Sequence, residues 1–471
     1  MREAVKEAGM IQAQCVQNLL LLCLEFSVHV HFNGLPRWGG MNEGWGMRSV
    51  SWSIISVLAA ACLLARAAAA APSADVYGNP PDHDNPLISP DGKHLAVMMP
   101  LGENGGVKVI KLGGGGSCAI APSAVKVRGI FWVAPNRLAV SVSFFFTPEG
   151  APNEPRYQSE VYRYIIVNTD CRDSYDVLRD HKDYGRLAGF DYVGRAPDSS
   201  YLLFAAFNVR SRNLVENVTS IRMKYRDRTS LDVYKVDTAT GKSAPFQAGN
   251  ADTDHWIADQ AGQLRLRVDD DQYGRTRVFA RLGDGDTWDM VYDSGSVTDK
   301  SRTVSFVTMG GQPDIAYVIT RNGADKDAVY EFNLRSKALG RLVFQHPKVD
   351  VDGVALDPFT DRAVGSAYTV DHPTTEYFDR TFAQLQADVS ATFPGEHVSL
   401  VSVSSDLKKA VALVEGPQNP TGVYYLADMT VPSIGKIGAR YGAIEAASVG
   451  TVKSISYQAR DGMTIPAYLT L

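Results

Sequence analysis

The chain has 471 residues, enough for several ordinary domains or one large repeat architecture. Hydrophobic residues make up 45% and charged residues 21%, which excludes a disordered chain. The formal charge is −5, with 47 Lys and Arg against 52 Asp and Glu, so there is no cationic excess to select nucleic acid or an anionic membrane surface.

The N-terminal region reads as a targeting segment rather than as fold. Met47-Arg48 precedes an apolar run from Ile54 to Leu64, then Ala65-Arg66 and a stretch of alanines up to Pro72. A short basic start, a brief apolar core and small residues are the parts of a secretory signal peptide. The run is shorter than the roughly 20 residues that cross a bilayer, so no membrane span is expected. Residues 47–71 are therefore expected to be a signal peptide cleaved near Ala71, directing the chain to the periplasm or out of the cell. Residues 1–46 then read as a mis-assigned upstream leader. A lipoprotein signal acylated at Cys62 fits less well, because Ala59 stands at the third position before it.

With that leader removed, Cys118 and Cys171 are the remaining cysteines. Export places them in an oxidising compartment, where they can pair. They sit at similar places in successive repeats, which can lie beyond the ~7 Å reach of a disulfide. The pattern leaves their pairing open.

From Leu87 to Ala439 one unit recurs: a turn bearing Asp or Gly, an apolar strand, an alternating strand and a polar turn. Ser89-Pro-Asp-Gly, Ala196-Pro-Asp-Ser and Ser404-Ser-Asp-Leu are the clearest turns. Val107–Leu112, Glu160–Val167, Asp232–Asp237, Ala328–Leu334 and Val423–Asp428 are the matching strands. Short strands at a recurrence of ~45–55 residues predict a β-propeller, an all-β fold of four-stranded blades. About seven units start near Leu87, Val127, Phe190, His255, Val304, Val354 and Val398, and the propeller occupies 72–448. One segment departs from the pattern. Phe378, Phe382, Leu385, Val389 and Phe393 recur at steps of three or four before Pro394-Gly395, predicting a single inserted helix.

After the repeat, residues 449–471 read as a separate hairpin, Ser456–Gln458 and Thr464–Leu471 around Asp461-Gly462. The helix ending in Phe393-Pro394-Gly395, the Ser402–Asp406 turn, Gly416–Pro420 and Val423–Asp428 together resemble the last blades of the prolyl oligopeptidase family of serine peptidases. The acylaminoacyl-peptidase and dipeptidyl-aminopeptidase branch is the nearest. Gly262–Val268 with Thr287-Trp288, and Ile130–Leu138, are also similar to that branch. The likeness covers about residues 80 to 471. It implies an N-terminal propeller that gates short peptides toward an α/β-hydrolase domain carrying a Ser-Asp-His triad. The hairpin is similar to the first element of that domain, whose remainder is then missing here or carried by a separate chain. The alternative is a stand-alone periplasmic propeller that binds or scaffolds other proteins.

The residues themselves assign no catalytic, cofactor-binding or metal-binding role. Gly115-Gly116-Ser117-Cys118-Ala119 and Gly241-Lys242-Ser243-Ala244-Pro245 come nearest to a nucleophile elbow, and both lack its last Gly. His83, His94, His181, His255, His346, His372 and His397 are scattered, with no serine at a meaningful position. Asp269-Asp270-Asp271 lacks the alternate spacing of a calcium loop, and Gly113–Gly116 lacks the Lys of a phosphate loop. Trp132, Trp256 and Trp288, and Tyr162, Tyr234, Tyr330 and Tyr424, are expected to pack between blades. Phe144–Pro155 is a long loop of unusual composition, read either as cover for an apolar blade edge or as lining for a substrate cavity.

Overall fold

A computed structural model describes residues 74–146, 159–182, 184–209, 229–283, 285, 287–296, 299–444 and 449–471. The upstream leader and signal segment expected over 1–71 lie outside the described residues, as does most of the Phe144–Pro155 loop. A short helix, Ala74–Gly78, opens the described chain.

Seven antiparallel sheets, each built from consecutive strands, succeed one another from Asp84 to Ala439. Their first strands are Asp84–Ile88, Lys126–Ala134, Leu187–Arg195, Thr253–Ala258, Ser305–Met309, Val351–Leu356 and His397–Val403. Each expected unit start falls in one of these strands or, for Val304, one residue before it. The turn chemistry explains why. In blade one the Ser89 hydroxyl donates to Asp91 Oδ1 at 2.7 Å, and the Lys93 amide donates to the same oxygen at 3.1 Å. Blade seven repeats this with Ser404 and Asp406 at 2.7 Å. A side chain that satisfies its own turn fixes where one strand stops and the next begins.

Six blades have four strands, and the sixth differs from the expected pattern. It has three, Val351–Leu356, Ala363–Thr369 and Pro373–Tyr377, and the helix Arg380–Ser390 follows in place of a fourth. Asp379 caps this helix, accepting from the Thr381 and Phe382 amides, and so converts the outgoing strand into a helix start. Phe382, Leu385 and Val389 are buried against Val364 of blade six and Val398, Val403 and Ala412 of blade seven. The helical period seen in the sequence is thus the face that fills the seam between two blades.

No single core exists. Apolar slabs lie between neighbouring blades instead. Val133, Ile166, Leu187, Phe204 and Tyr234 join blades two and three, and Leu266, Val278, Phe306, Val318 and Phe332 join blades four and five. Indole groups tie seams as well: Trp132 donates to the Leu87 carbonyl at 3.1 Å and Trp256 to the Leu231 carbonyl at 2.9 Å. Tyr234 and Tyr424 are buried as expected, whereas Tyr162 is 42% exposed. In blade two the packed tyrosine is Tyr164, two residues further along the same strand, against Phe131 and Phe204. Blades five and six are joined by stacked aromatics, Phe344 and His346 on Tyr368, rather than by a buried aliphatic slab.

Cys118 and Cys171 are disulfide-bonded, with Cα atoms 6.0 Å apart. Cys118 lies on the outer strand of blade one, and Cys171 takes a left-handed turn position (φ 59°) in blade two. That turn brings the two blades' outer edges within reach of one bond. The link closes a loop with a sequence separation of 53. Cys118→Ser with Cys171→Ser should cost about 2–4 kcal/mol, read as a lower denaturant midpoint. A midpoint equal to that of the native protein would show that the bond carries no stability.

Candidate functional site

Strand alternation gives the ring two unlike faces. Each first strand runs from one face to the other and the next returns, so turns between second and third strands share a face with the blade-to-blade connections. The self-bonded Asp turns lie on the opposite face. The connection face carries the 370–372 turn of blade six and the chain running out to residues 449–471, whereas the helix Arg380–Ser390 starts on the Asp-turn face, where Asp379 pairs with Arg362 at 2.7 Å, and runs back in place of a fourth strand. Segments 147–158 and 210–228, between the second and third strands of blades two and three, lie outside the described residues.

The C-terminal hairpin, Val452–Gln458 paired with Thr464–Thr470, forms a sheet of its own. Its turn is closed by Gly462 (φ 85°) and by the Met463 amide donating to Asp461 Oδ1 at 3.0 Å. The Tyr468 hydroxyl lies 2.7 Å from Asp371 Oδ1 and 3.3 Å from the Val370 carbonyl oxygen, tying the hairpin to blade six. The bond to Asp371 is the main cause of a phenol pKa above the ordinary value. Apart from this tie the hairpin is bare: Val452, Tyr457, Met463, Tyr468 and Leu471 are all more than half exposed. Large apolar side chains on both strands of an isolated sheet are a surface suited to a further folded unit.

Polar groups on the connection face are joined across the seam of blades six and seven and within blade two. His372 and His397 stack with centroids 4.6 Å apart, and His372 Nδ1 is 4.0 Å from Glu415 Oε2. His397 Nε2 lies 3.0 Å from Ser399 Oγ and 3.1 Å from the Pro373 carbonyl oxygen. This Ser–His contact was not expected from the scattered histidines. It follows from the two-residue period of a strand, which puts 397 and 399 on one side. Both groups turn to the Pro373 carbonyl, so the contact fastens blade seven to blade six rather than arming a nucleophile. In blade two the Arg128 guanidinium and the Ser143 hydroxyl, the latter at 2.7 Å, both donate to Glu160. Ser143, then Arg128, holds that carboxyl below its ordinary pKa. In the first strand of blade three, burial and then the charge of Asp254 raise the Asp191 pKa.

Beside the first strands of blades one and two lies a groove of about 270 Å³ lined by Met98, Met99 and Pro100 together with Asp84, Glu103, Lys126 and Arg128. A lining that mixes apolar side chains with both signs of charge suits a short peptide segment better than a nucleotide or a lipid.

The serines weighed as nucleophiles lie elsewhere. Ser117 opens the outer strand of blade one, and Ser243, on the outer strand of blade three, donates to Asp180 Oδ1 at 2.6 Å. The Asp269–Asp271 run is absorbed by arginines: Asp269 pairs with Arg267 at 2.9 Å and Asp271 with Arg277 at 3.2 Å. Among the described residues, no group of three or more His, Cys, Asp or Glu is placed to hold a metal ion. No helix among them is long and apolar enough to cross a membrane.

These features define a seven-bladed β-propeller with a bare hairpin tied to its connection face. In sequence the chain is similar to a dipeptidyl aminopeptidase. It is 24% identical over 253 residues to dipeptidyl aminopeptidase BIII of Pseudoxanthomonas mexicana, a match covering 53% of this chain and 36% of that protein. The match therefore spans about a third of the relative's length. Similar solved structures include prolyl oligopeptidase B of Galerina marginata (10% identity, 84% of this chain, 57% of that one, TM-score 0.46). Oligopeptidase B of Leishmania major (14%, 84% and 54%, TM-score 0.46) and the Pyrococcus horikoshii acylaminoacyl peptidase (12%, 83% and 50%, TM-score 0.36) are others. No protein-family model matches the chain.

Replacing Tyr468 by Phe should loosen the hairpin alone. Amide exchange over 452–470 should rise several-fold, as for losing one solvent-exposed hydrogen bond, with exchange in the blades unchanged. Unchanged exchange in the hairpin would show that Tyr468 does not hold it.

Proposed function

We propose that this chain is the substrate-gating propeller of a secreted serine peptidase of the prolyl oligopeptidase type, acting on short peptides. The observation that carries the reading is the bare hairpin held on the connection face. An isolated two-stranded sheet is marginal in water, and this one presents apolar side chains where a second domain would cover them. In this reading residues 449–471 are the first element of an α/β-hydrolase domain supplied by further chain or by a second polypeptide. That domain carries the Ser-Asp-His triad and breaks the bond. The propeller walls the space above it, keeps water and folded proteins out, and contributes the groove of Met98, Met99, Asp84 and Arg128 as one wall. The dipeptidyl-aminopeptidase relative supports a peptide substrate. The disulfide supports an oxidising compartment, consistent with residues 47–71 acting as an export signal.

The test has two parts. The DNA beyond the Leu471 codon, read in all three frames, should encode a Gly-x-Ser-x-Gly followed by Asp and His, or a neighbouring gene should. The protein with that domain should hydrolyse short aminoacyl or acyl-peptide substrates, while the chain of Met1–Leu471 alone should not. Hydrolysis by this chain alone, with labelling by a serine-directed fluorophosphonate, would overturn the division of labour. A stable propeller that captures a defined protein partner, with no hydrolase sequence nearby, would replace it with a scaffold role.

A further inference from the structure

We infer that the central channel of the ring is stoppered on the Asp-turn face by the first turn of blade six, leaving a well open only toward the hairpin. The inference holds whatever occupies the hairpin face.

Blade six neighbours blades five and seven, yet its turn 357–362 touches blades on the other side of the ring. The Pro358 carbonyl accepts from Arg195 Nη2 of blade three at 2.7 Å. The same guanidinium donates to the Trp132 carbonyl of blade two at 3.0 Å and, through Nε, to the Tyr192 hydroxyl at 2.8 Å. Tyr192 and Asp361 are hydrogen-bonded in turn, and burial raises the Asp361 carboxyl pKa beside them. Phe359 packs on the apolar cluster of blades one and two around Trp132 and Leu138. Blades two and three are not adjacent to blade six in a seven-membered ring. Contacts among these three have only one route, across the axis.

The turn is built to stay there. The Asp357 amide donates to the Arg362 carbonyl at 2.8 Å and the Phe359 amide to Asp357 Oδ1 at 2.9 Å. Asp361 takes the left-handed conformation (φ 55°) that a short polar residue tolerates. Arg195 is only 6% exposed, so its charge is satisfied by those carbonyls and the nearby Asp361 rather than by water. Blade six is joined to blade five by half-exposed aromatics, and the crossing turn gives it a second anchorage.

The consequence concerns access. A peptide cannot be threaded through the ring from the Asp-turn side, so the pore is not the entrance to whatever space the connection face encloses. Ligands reach that space from the connection side, and the ring acts as a blind cup that limits how far a chain can extend into it.

Hydrogen exchange on the intact chain tests this. In the native protein the amides of 357–362 should exchange well below those of the exposed 112–116 turn. Arg195→Ala, a change in blade three, should raise exchange at 357–362 by about ten-fold, the loss expected for hydrogen bonds from a buried charged group. Tyr192→Phe keeps the ring and the arginine but removes the hydroxyl facing Asp361. It should raise exchange there by a smaller factor, and it keeps the test valid if Arg195→Ala does not fold. Exchange at 357–362 as fast as at 112–116 in the native protein would overturn the inference. So would exchange there that is unchanged in the variants while blades two and three alone respond.

Discussion

The structure depends on packing between successive sheets, and above all on the seam where the last blade meets the first. Every blade is built from consecutive strands, so no strand from one end of the propeller completes the sheet at the other. The ring is closed by Ile88, Leu95 and Val97 of blade one against Val411 and Tyr424 of blade seven. Each fully buried side chain of this kind contributes about 1.5–3 kcal/mol. Hydrogen bonds set the alignment of that seam: Ile88 N to Ser402 Oγ at 3.0 Å and Ser405 N to the Pro90 carbonyl at 2.9 Å. Gly92 (φ 68°) lets the blade-one turn lie against Lys409 and Ser404 of blade seven. Residues just before the first strand extend the closure, with Asp82 N donating to the Arg440 carbonyl at 2.7 Å.

A ring closed in this way has two faces with different duties. The Asp-turn face is short, self-bonded and crossed by the blade-six turn. The connection face holds the stacked His372–His397 seam, the charged groove and the hairpin. The helix that replaces the fourth strand of blade six leaves that blade's outer edge covered by side chains instead of by a ladder. Blade six is thus secured on one side by the helix and, across the axis, by Arg195.

Much of this was legible in the sequence because it is local. Seven strand starts could be read from Asp-bearing turns and alternation, since a turn such as Ser89–Gly92 satisfies itself. The helix was legible from its period, but its replacement of a strand was not, because nothing in Phe378–Phe393 states how many strands precede it. The Cys118–Cys171 bond stayed open because repeat position does not set the distance between outer edges. Tyr162 looked equivalent to Tyr234 by position in the run, yet the pairing register gives the packed place to Tyr164. The Ser399–His397 contact and the crossing of the channel by Phe359 depend on placement in three dimensions. Arg195 and Pro358 are 163 residues apart, and no periodicity links them.

In the proposed function the connection face is the working face, with a hydrolase domain seated on the hairpin. Hydrogen exchange compared between this chain alone and the chain together with that domain tests it most directly. Protection should appear at 99–106, 369–373 and 452–470 and spare the opposite-face turns 134–137, 196–200 and 404–408. Protection of the Asp turns, with the hairpin still exchanging freely, would contradict it.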